Sequence, residues 1–372
     1  MDFTFTDDQQ TLAEVARGLF ERHATPERLT ELEAGDVRYD AALWKDLASA
    51  DLLGIALPES VGGSGGGFLE LGLLLAEVGW SVAPVPVYAT LLLGADAITR
   101  HGTTEQQVRY LTDVTTGDRL LTAALSEPGR SNPTVPVSIA RRDGSGWRID
   151  GVKDLVPAAR IADTAVVSAR TDDGPGLFLV DLHARGVEVR PAPVTGGEPH
   201  ADIEFDGATA ADRIEGDGAG MLTALHERAL VGVCALQLGV AERALRIAAA
   251  YTTGREQFGR PIGSFQAVQQ RMADAFIDVE AIRWTTWHAA WLLSEGRSAD
   301  RAAHIAKFWA AEAGQRVVAT AQQVHGGIGI DVSYPLFRYF LAAKHNELAF
   351  GSASAHLAAL AHSYPSGEGD RP

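Results

Sequence analysis

Three segments punctuated by glycine hold the residue types best suited to binding or chemistry. In Gly254-Arg255-Glu256-Gln257-Phe258-Gly259-Arg260-Pro261-Ile262-Gly263-Ser264-Phe265-Gln266, glycines allow close backbone approach, two arginines can pair with phosphate oxygens, and Phe258 offers a flat face. A helix starting near Ser264 would add a favourable pole for an anion. The same residues also read as a capped inter-helix loop with solvated arginines. Gln322-Gln323-Val324-His325-Gly326-Gly327-Ile328-Gly329 is a second such turn, where Gly326 and Gly327 serve either as helix C-caps or as a close approach to a ligand. In Leu125-Ser126-Glu127-Pro128-Gly129 a hydroxyl and free amides can hold polar ligand edges, while Glu127 before a proline reads as a turn residue. Cys234 is the single cysteine, which excludes an internal disulfide and a multi-cysteine metal site. Its apolar surroundings mark it as a small buried hydrophobe and not a nucleophile.

The elements that must position these segments change character twice. Up to about residue 119 the pattern is helical: Thr6 and Gln9 fit a capping box ahead of Leu12, Val15, Ala16, Leu19 and Phe20. A helix through Leu43, Trp44 and Leu47 ends at Gly54, and the glycine-rich stretch 58–67 is a loop. Helices follow at 68–80, at 86–100 and after Thr103. Residues 120–214 alternate short strands with turns, at 121–125, 137–140, 147–149, 165–169, 177–180, 187–190 and 203–205, which suggests a small β-barrel or sandwich. From 215 to 372 the chain is helical again, with helices expected at 221–251, 264–294, 298–324 and 334–361. Four long helices with short joints make an antiparallel bundle. The fold class is α+β: a helical domain over 1–119, a β domain over 120–214 and a helical bundle over 215–372.

Composition narrows the partners. Acidic residues outnumber basic ones, 48 to 32, for a net charge of −16, so non-specific nucleic-acid or anionic-membrane binding is disfavoured. Residues 1–10 lack the positive charge and apolar run of a secretory leader, and no stretch approaches ~18 uninterrupted apolar residues. The expectation is a cytoplasmic protein.

Taken in order, the turn at 255–259, the turn at 323–327, the Ser126-Glu127-Pro128-Gly129 run and the α–β–α succession resemble an acyl-CoA dehydrogenase over essentially the whole chain. The resemblance implies FAD as cofactor, held at a contact between subunits, and oxidation of an acyl-CoA thioester to its 2-enoyl form. A carboxylate removes the proton beside the thioester carbonyl while the flavin takes hydride. By that likeness Arg255 corresponds to the arginine on the FAD pyrophosphate of the neighbouring subunit, with Gln257 and Phe258 beside it. Gln323, Gly326 and Gly327 belong to the turn lying against that FAD, and Leu125 and Ser126 correspond to contacts at the flavin ring.

The chain also departs from the family pattern. Arg130-Ser131-Asn132 replaces a small-residue run, and Leu155 and Pro157 stand where a tryptophan and a threonine usually flank the flavin. The family's common base position, before a glycine near the C-terminus, is Phe350, which cannot accept a proton. Some members carry the base on the first long helix of the last domain beside an arginine. Glu227-Arg228 resembles that pair, although counting back from Gly239 puts the family's pair at Ala229 and Leu230, about 200° away on a helix. Glu347, three residues before Phe350, ranks behind Glu227. The leading expectation is an active dehydrogenase of an acyl-CoA or acyl-carrier thioester, with Glu227 as base. The resemblance extends to divergent actinobacterial members, several of which form heterotetramers. Alternatives are therefore a non-catalytic subunit that completes another chain's FAD site, or a same-fold enzyme of different chemistry. The assembly is a homodimer, homotetramer or heterotetramer.

Overall fold

In a computed structural model, residues 4–130 and 132–363 are described; Ser131 and the start of the segment read for a leader lie outside them. Helix α1 (Asp7–His23) opens on the expected box, with Gln9 N donating to Thr6 Oγ1 at 3.2 Å and Thr6 N to Gln9 Oε1 at 3.1 Å. Helix α2 (Pro26–Glu33) was not expected. It is short and buries a single leucine, so periodicity could not reveal it, but Thr25 caps it and proline fits its first turn. Helix α3 (Ala41–Ser49) is capped by Asp40 and buries Trp44. After the glycine loop, α4 (Phe68–Ser81) is buried on most sides. The apolar run expected as one helix is a π-helical stretch, Tyr88–Ala95, followed by α5 (Asp96–His101), and α6 (Thr104–Thr115) starts at a second capping box.

The strands are β1 (Leu121–Ala124), β2 (Ile139–Asp143), β3 (Gly146–Val156), β4 (Thr164–Thr171), β5 (Gly174–Asp181), β6 (Val187–Pro191), β7 (Ala201–Ala210) and β8 (Asp212–Ile214). They form one mixed sheet in the order β6-β7-β3-β2-β4-β5-β8, with β1 parallel to β4. The ends of that path, β6 and β8, are not paired to each other, so the expected small barrel is open there. The unexpected β8 is three residues long and mostly polar.

The last region holds α7 (Gly218–Gly254), a short hairpin of β9 (Glu256–Gln257) and β10 (Arg260–Pro261), α8 (Gln266–Ser294) and α9 (Asp300–His325). The fourth expected bundle helix is a correction. It is two helices, α10 (Leu336–Leu348) and α11 (Ala353–Ser363), broken where Phe350 and Gly351 adopt φ of +55° and +109°. An apolar side chain at a left-handed backbone position gives no signal that sequence periodicity can register.

One continuous core joins the three regions, and it is closed by two backbone contacts between α4 and α7. A Cβ on Gly79 would lie 2.0 Å from the Leu236 carbonyl oxygen, and one on Gly239 would lie 1.9 Å from that of Ala76. Arg228 on α7 and Asp96 on α5 add a buried ion pair at 2.6 Å. Because Gly239 faces backbone that cannot rotate away, Gly239→Ala should cost roughly 1–3 kcal/mol or more, measured as a lower midpoint in denaturant unfolding; an unchanged midpoint would show that α4 and α7 can separate freely.

Candidate active site

Between the helical regions and the sheet lies a cavity of about 880 Å³. Its walls come from every part of the fold: Tyr39 and Tyr88, Leu125 and Ser126 at the end of β1, Asp154–Ala158 after the middle of β3, the loop before β7, and the inner faces of α7, α9, α10 and α11. Leu125 is buried and Ser126 is half-buried, and both line it. The carbonyl of Ser126 accepts from Asp154 N at 3.1 Å, which ties the two flanking segments together. Leu155 and Pro157 also face the cavity, Leu155 with φ of +49°.

Glu127 does not face it. Its carboxylate accepts from Val137 N at 2.6 Å, from Ser138 N at 2.8 Å and Ser138 Oγ at 2.6 Å, and from Lys153 Nζ at 2.8 Å. Burial opposes its charge, but Lys153 and Ser138 outweigh that and hold it below the usual carboxylate range. Burial brings Lys153 itself down to about 8. The turn reading of Glu127 is thus the observed one: it locks the loop after β1 onto β3.

Glu227 is on α7, in its third turn and not its first. One carboxylate oxygen accepts from Ala299 N at 3.0 Å, at the start of α9, and Glu227 is absent from the cavity wall. Burial raises its pKa, opposed by that N–H. Its neighbour Arg228 is committed to Asp96, and Ala229 and Leu230, where the family's pair would fall, are fully buried. The α7 side chains that reach the cavity are those of Thr223, His226, Val233, Leu236 and Val240. Glu347, the acid ranked behind Glu227, pairs with Lys344. Because Phe350 lies beyond the end of α10, the two do not share a helix face.

Phe350 lines the cavity at the break between α10 and α11, and histidines surround it. The His226 ring is 5.9 Å from Phe350, and His304 Nδ1 meets His356 Nδ1 at 2.8 Å. Nδ1 of His226 and Nε2 of His356 are buried and have no hydrogen-bond partner among the described residues. Burial lowers His226 to about 4 and His356 to about 3. The sequence gives no sign of these three residues, or of Glu198, His200 and His345, which also line the cavity, because they are scattered over several elements and only the fold gathers them. The break is held by Lys307 of α9, whose buried ammonium donates to Glu347 O at 3.0 Å and Gly351 O at 2.9 Å. Burial brings Lys307 down to about 8, against the pull of Cys234 and Glu347. Cys234 is buried and free, its thiol pushed up to about 12 by burial.

The two C-terminal turns lie apart from this cavity. Arg255, Gln257, Gln323, Gly326 and Gly327 are exposed and none lines it. Their two loops sit side by side because Tyr251, near the end of α7, stacks on His325 at the end of α9 with ring centroids 4.1 Å apart. Phe258 and Gly259 form the hairpin tip with φ of +54° and +76°, the pattern of a tight two-residue turn. A phenylalanine at positive φ is strained, and this one is 92% exposed.

Comparison with known proteins follows the same division. Family models describing the acyl-CoA dehydrogenase N-terminal, middle and C-terminal domains match residues 6–118, 122–208 and 216–364. Acyl-CoA dehydrogenase FadE27 of Mycobacterium tuberculosis is 40% identical, the match covering 96% of this chain and 97% of FadE27. Among solved structures, the ChsE4-ChsE5 complex from M. tuberculosis has a chain 40% identical, with a TM-score of 0.93 and coverage of 99% and 100%. A variant of the Tcur3481-Tcur3483 steroid ACAD has one 43% identical, with a TM-score of 0.91 and coverage of 96% and 97%.

The buried lysine at the break makes stability depend on pH. An unfolded lysine keeps its proton to about 10.5 while folded Lys307 releases it near 8, so between those values the unfolded chain binds more protons and stability rises with pH. Lys307→Met removes that slope. Unfolding free energies measured from pH 8 to 10 should therefore shift in favour of the unsubstituted chain as pH rises; a difference independent of pH would contradict the lowered Lys307.

Proposed function

The chain belongs to the acyl-CoA dehydrogenase family, whose cofactor is FAD, and from that premise we propose that it is one subunit of an assembly of two different family chains. In this reading it completes the FAD site of its partner, and the partner removes the substrate proton. The observation that carries this is the occupancy of the base positions: Phe350 stands at the cavity, and Glu227 is bonded to Ala299 N at 3.0 Å.

The residues of the C-terminal turns fit the outer part of FAD. Arg255 supplies a planar guanidinium for the pyrophosphate, Gln257 and Gln323 supply amide groups, and Gly326 and Gly327 leave backbone open to close approach. Phe258 is strained and bare in the single chain, as expected of a residue covered by a cofactor and a second subunit. The chain's own cavity fits the flavin ring less well. Pro157 has no N–H to give, and Leu155 has an apolar side chain and an N–H already donated to Asp202 Oδ1 at 2.9 Å, although Leu125 and Ser126 remain. When bound, FAD supplies the hydride acceptor. The residues of this chain hold and orient it, and the apolar wall that includes Phe350, Val233 and Leu236 excludes water.

The acyl group is proposed to be bulky. What supports this is that a relative 43% identical is named a steroid ACAD. The reading is tested by flavin retention. The chain purified alone should lose FAD on gel filtration, and the chain co-expressed with a second family member should keep it. Arg255→Ala should weaken that retention roughly tenfold or more. A chain that alone retains FAD and is bleached by an acyl-CoA would overturn the proposal.

A further inference from the structure

Elsewhere on the cavity wall, Glu198 and His200 flank Pro199 in the segment leading into β7. Proline fixes φ near −65°, close to the value of an inverse γ-turn, and His200 N donates back to Glu198 O at 2.7 Å. That three-residue turn presents both side chains to one point. Its backbone is anchored on either side, by Ala192 N donating to His200 O at 3.0 Å and Arg160 N to Pro199 O at 3.3 Å. From α10, His345 completes the group, its ring 5.0 Å from that of His200 and packed against Gly196.

The three offer one ligand atom each, all within 4.8 Å of one another. Glu198 Oε2 is 3.3 Å from His345 Nε2 and 3.8 Å from His200 Nδ1. His200 is 96% buried by its 4% exposure, yet its Nδ1 has no hydrogen-bond partner among the described residues. An ion pair of Glu198 with His345 accounts for two of the three side chains and leaves that nitrogen unexplained. A buried acceptor or donor without a partner is costly, and a cation bound between the three would satisfy it.

We propose that Glu198, His200 and His345 bind a divalent transition-metal cation of the zinc class. Two imidazoles and a carboxylate favour zinc over magnesium or calcium, which prefer sets built of oxygen. With metal–ligand distances of about 2.0–2.2 Å, tetrahedral ligand atoms stand roughly 3.3–3.6 Å apart. The Glu198–His345 spacing already matches, the Glu198–His200 spacing is wide by a few tenths of an ångström, and the two histidine nitrogens, within 4.8 Å of each other, close by about an ångström or less on binding. The fourth position opens into the cavity, where water or a carbonyl oxygen of a bound ligand can take it. Arg38 is the cation that opposes binding. Its charge is shared with Glu33 at 3.7 Å, and its guanidinium also donates to the carbonyls of Gly196 and Val82. The site does not depend on the assembly proposed above, because all three ligands belong to this chain.

The test uses the full chain, stripped by chelator, dialysed against zinc and analysed for bound metal, with cobalt as a spectroscopic substitute. The expected result is stoichiometric zinc and a tetrahedral cobalt spectrum. His200→Ala and Glu198→Gln should each weaken zinc binding by roughly tenfold or more, the second preserving volume and fold as checked by circular dichroism. His304→Ala, a cavity histidine outside the ligand group, should leave binding unchanged. No bound zinc, or zinc lost with His304 and kept in the other two variants, would overturn the site and leave an ion pair only.

Discussion

The buried ammonium of Lys307, donating to the carbonyls of Glu347 and Gly351, decides what the cavity can do. It satisfies backbone groups released where α10 stops, so the chain can break there without leaving them unpaired. The break puts Phe350 at a left-handed position against the cavity and releases α11 to place His356 behind it. Without that amine, a half-buried helix end would lose the partner of the Glu347 and Gly351 carbonyls.

Three acids at or beside the cavity have partners within the fold. Glu127 binds the loop after β1 to β3, and Glu198 faces His345. Glu227 reaches the first amide of the α9 region, where unpaired N–H groups and the helix pole favour a carboxylate. A carboxylate used in this way stiffens the joint between α7 and α9 and is turned from the substrate space. The chain keeps the family's scaffold, while Phe350 stands at one expected base position and Glu227, the acid nearest the other, is bonded to Ala299 N.

Much of this was legible in the sequence. The capping boxes at Thr6 and Thr103, the long helix expected over 221–251 and found as Gly218–Gly254, and the strand-rich centre follow from local rules, and all are present. The structural role of Glu127 and the burial of Cys234 were legible for the same reason, since proline and apolar neighbours constrain them locally. The break at Phe350 was not, because it depends on a lysine forty-three residues earlier in sequence, on a different helix. Nor was the direction of Glu227, since an acid on an amphipathic helix carries no mark of which groove it enters. The histidines at 200, 226, 304, 345 and 356 become one surface only after α7, α9, α10, α11 and the loop before β7 are packed together.

Whether Glu227 supports α9 or takes the substrate proton is read most directly from the rate at which a matching acyl-CoA bleaches the flavin of the co-purified assembly, compared between the unsubstituted chain and Glu227→Gln, with thermal stability measured alongside. With Glu227 as a support for α9, the bleaching rate stays unchanged and the melting temperature falls, because glutamine weakens a charge-assisted bond to Ala299 N. Loss of bleaching with stability intact would instead make Glu227 the base.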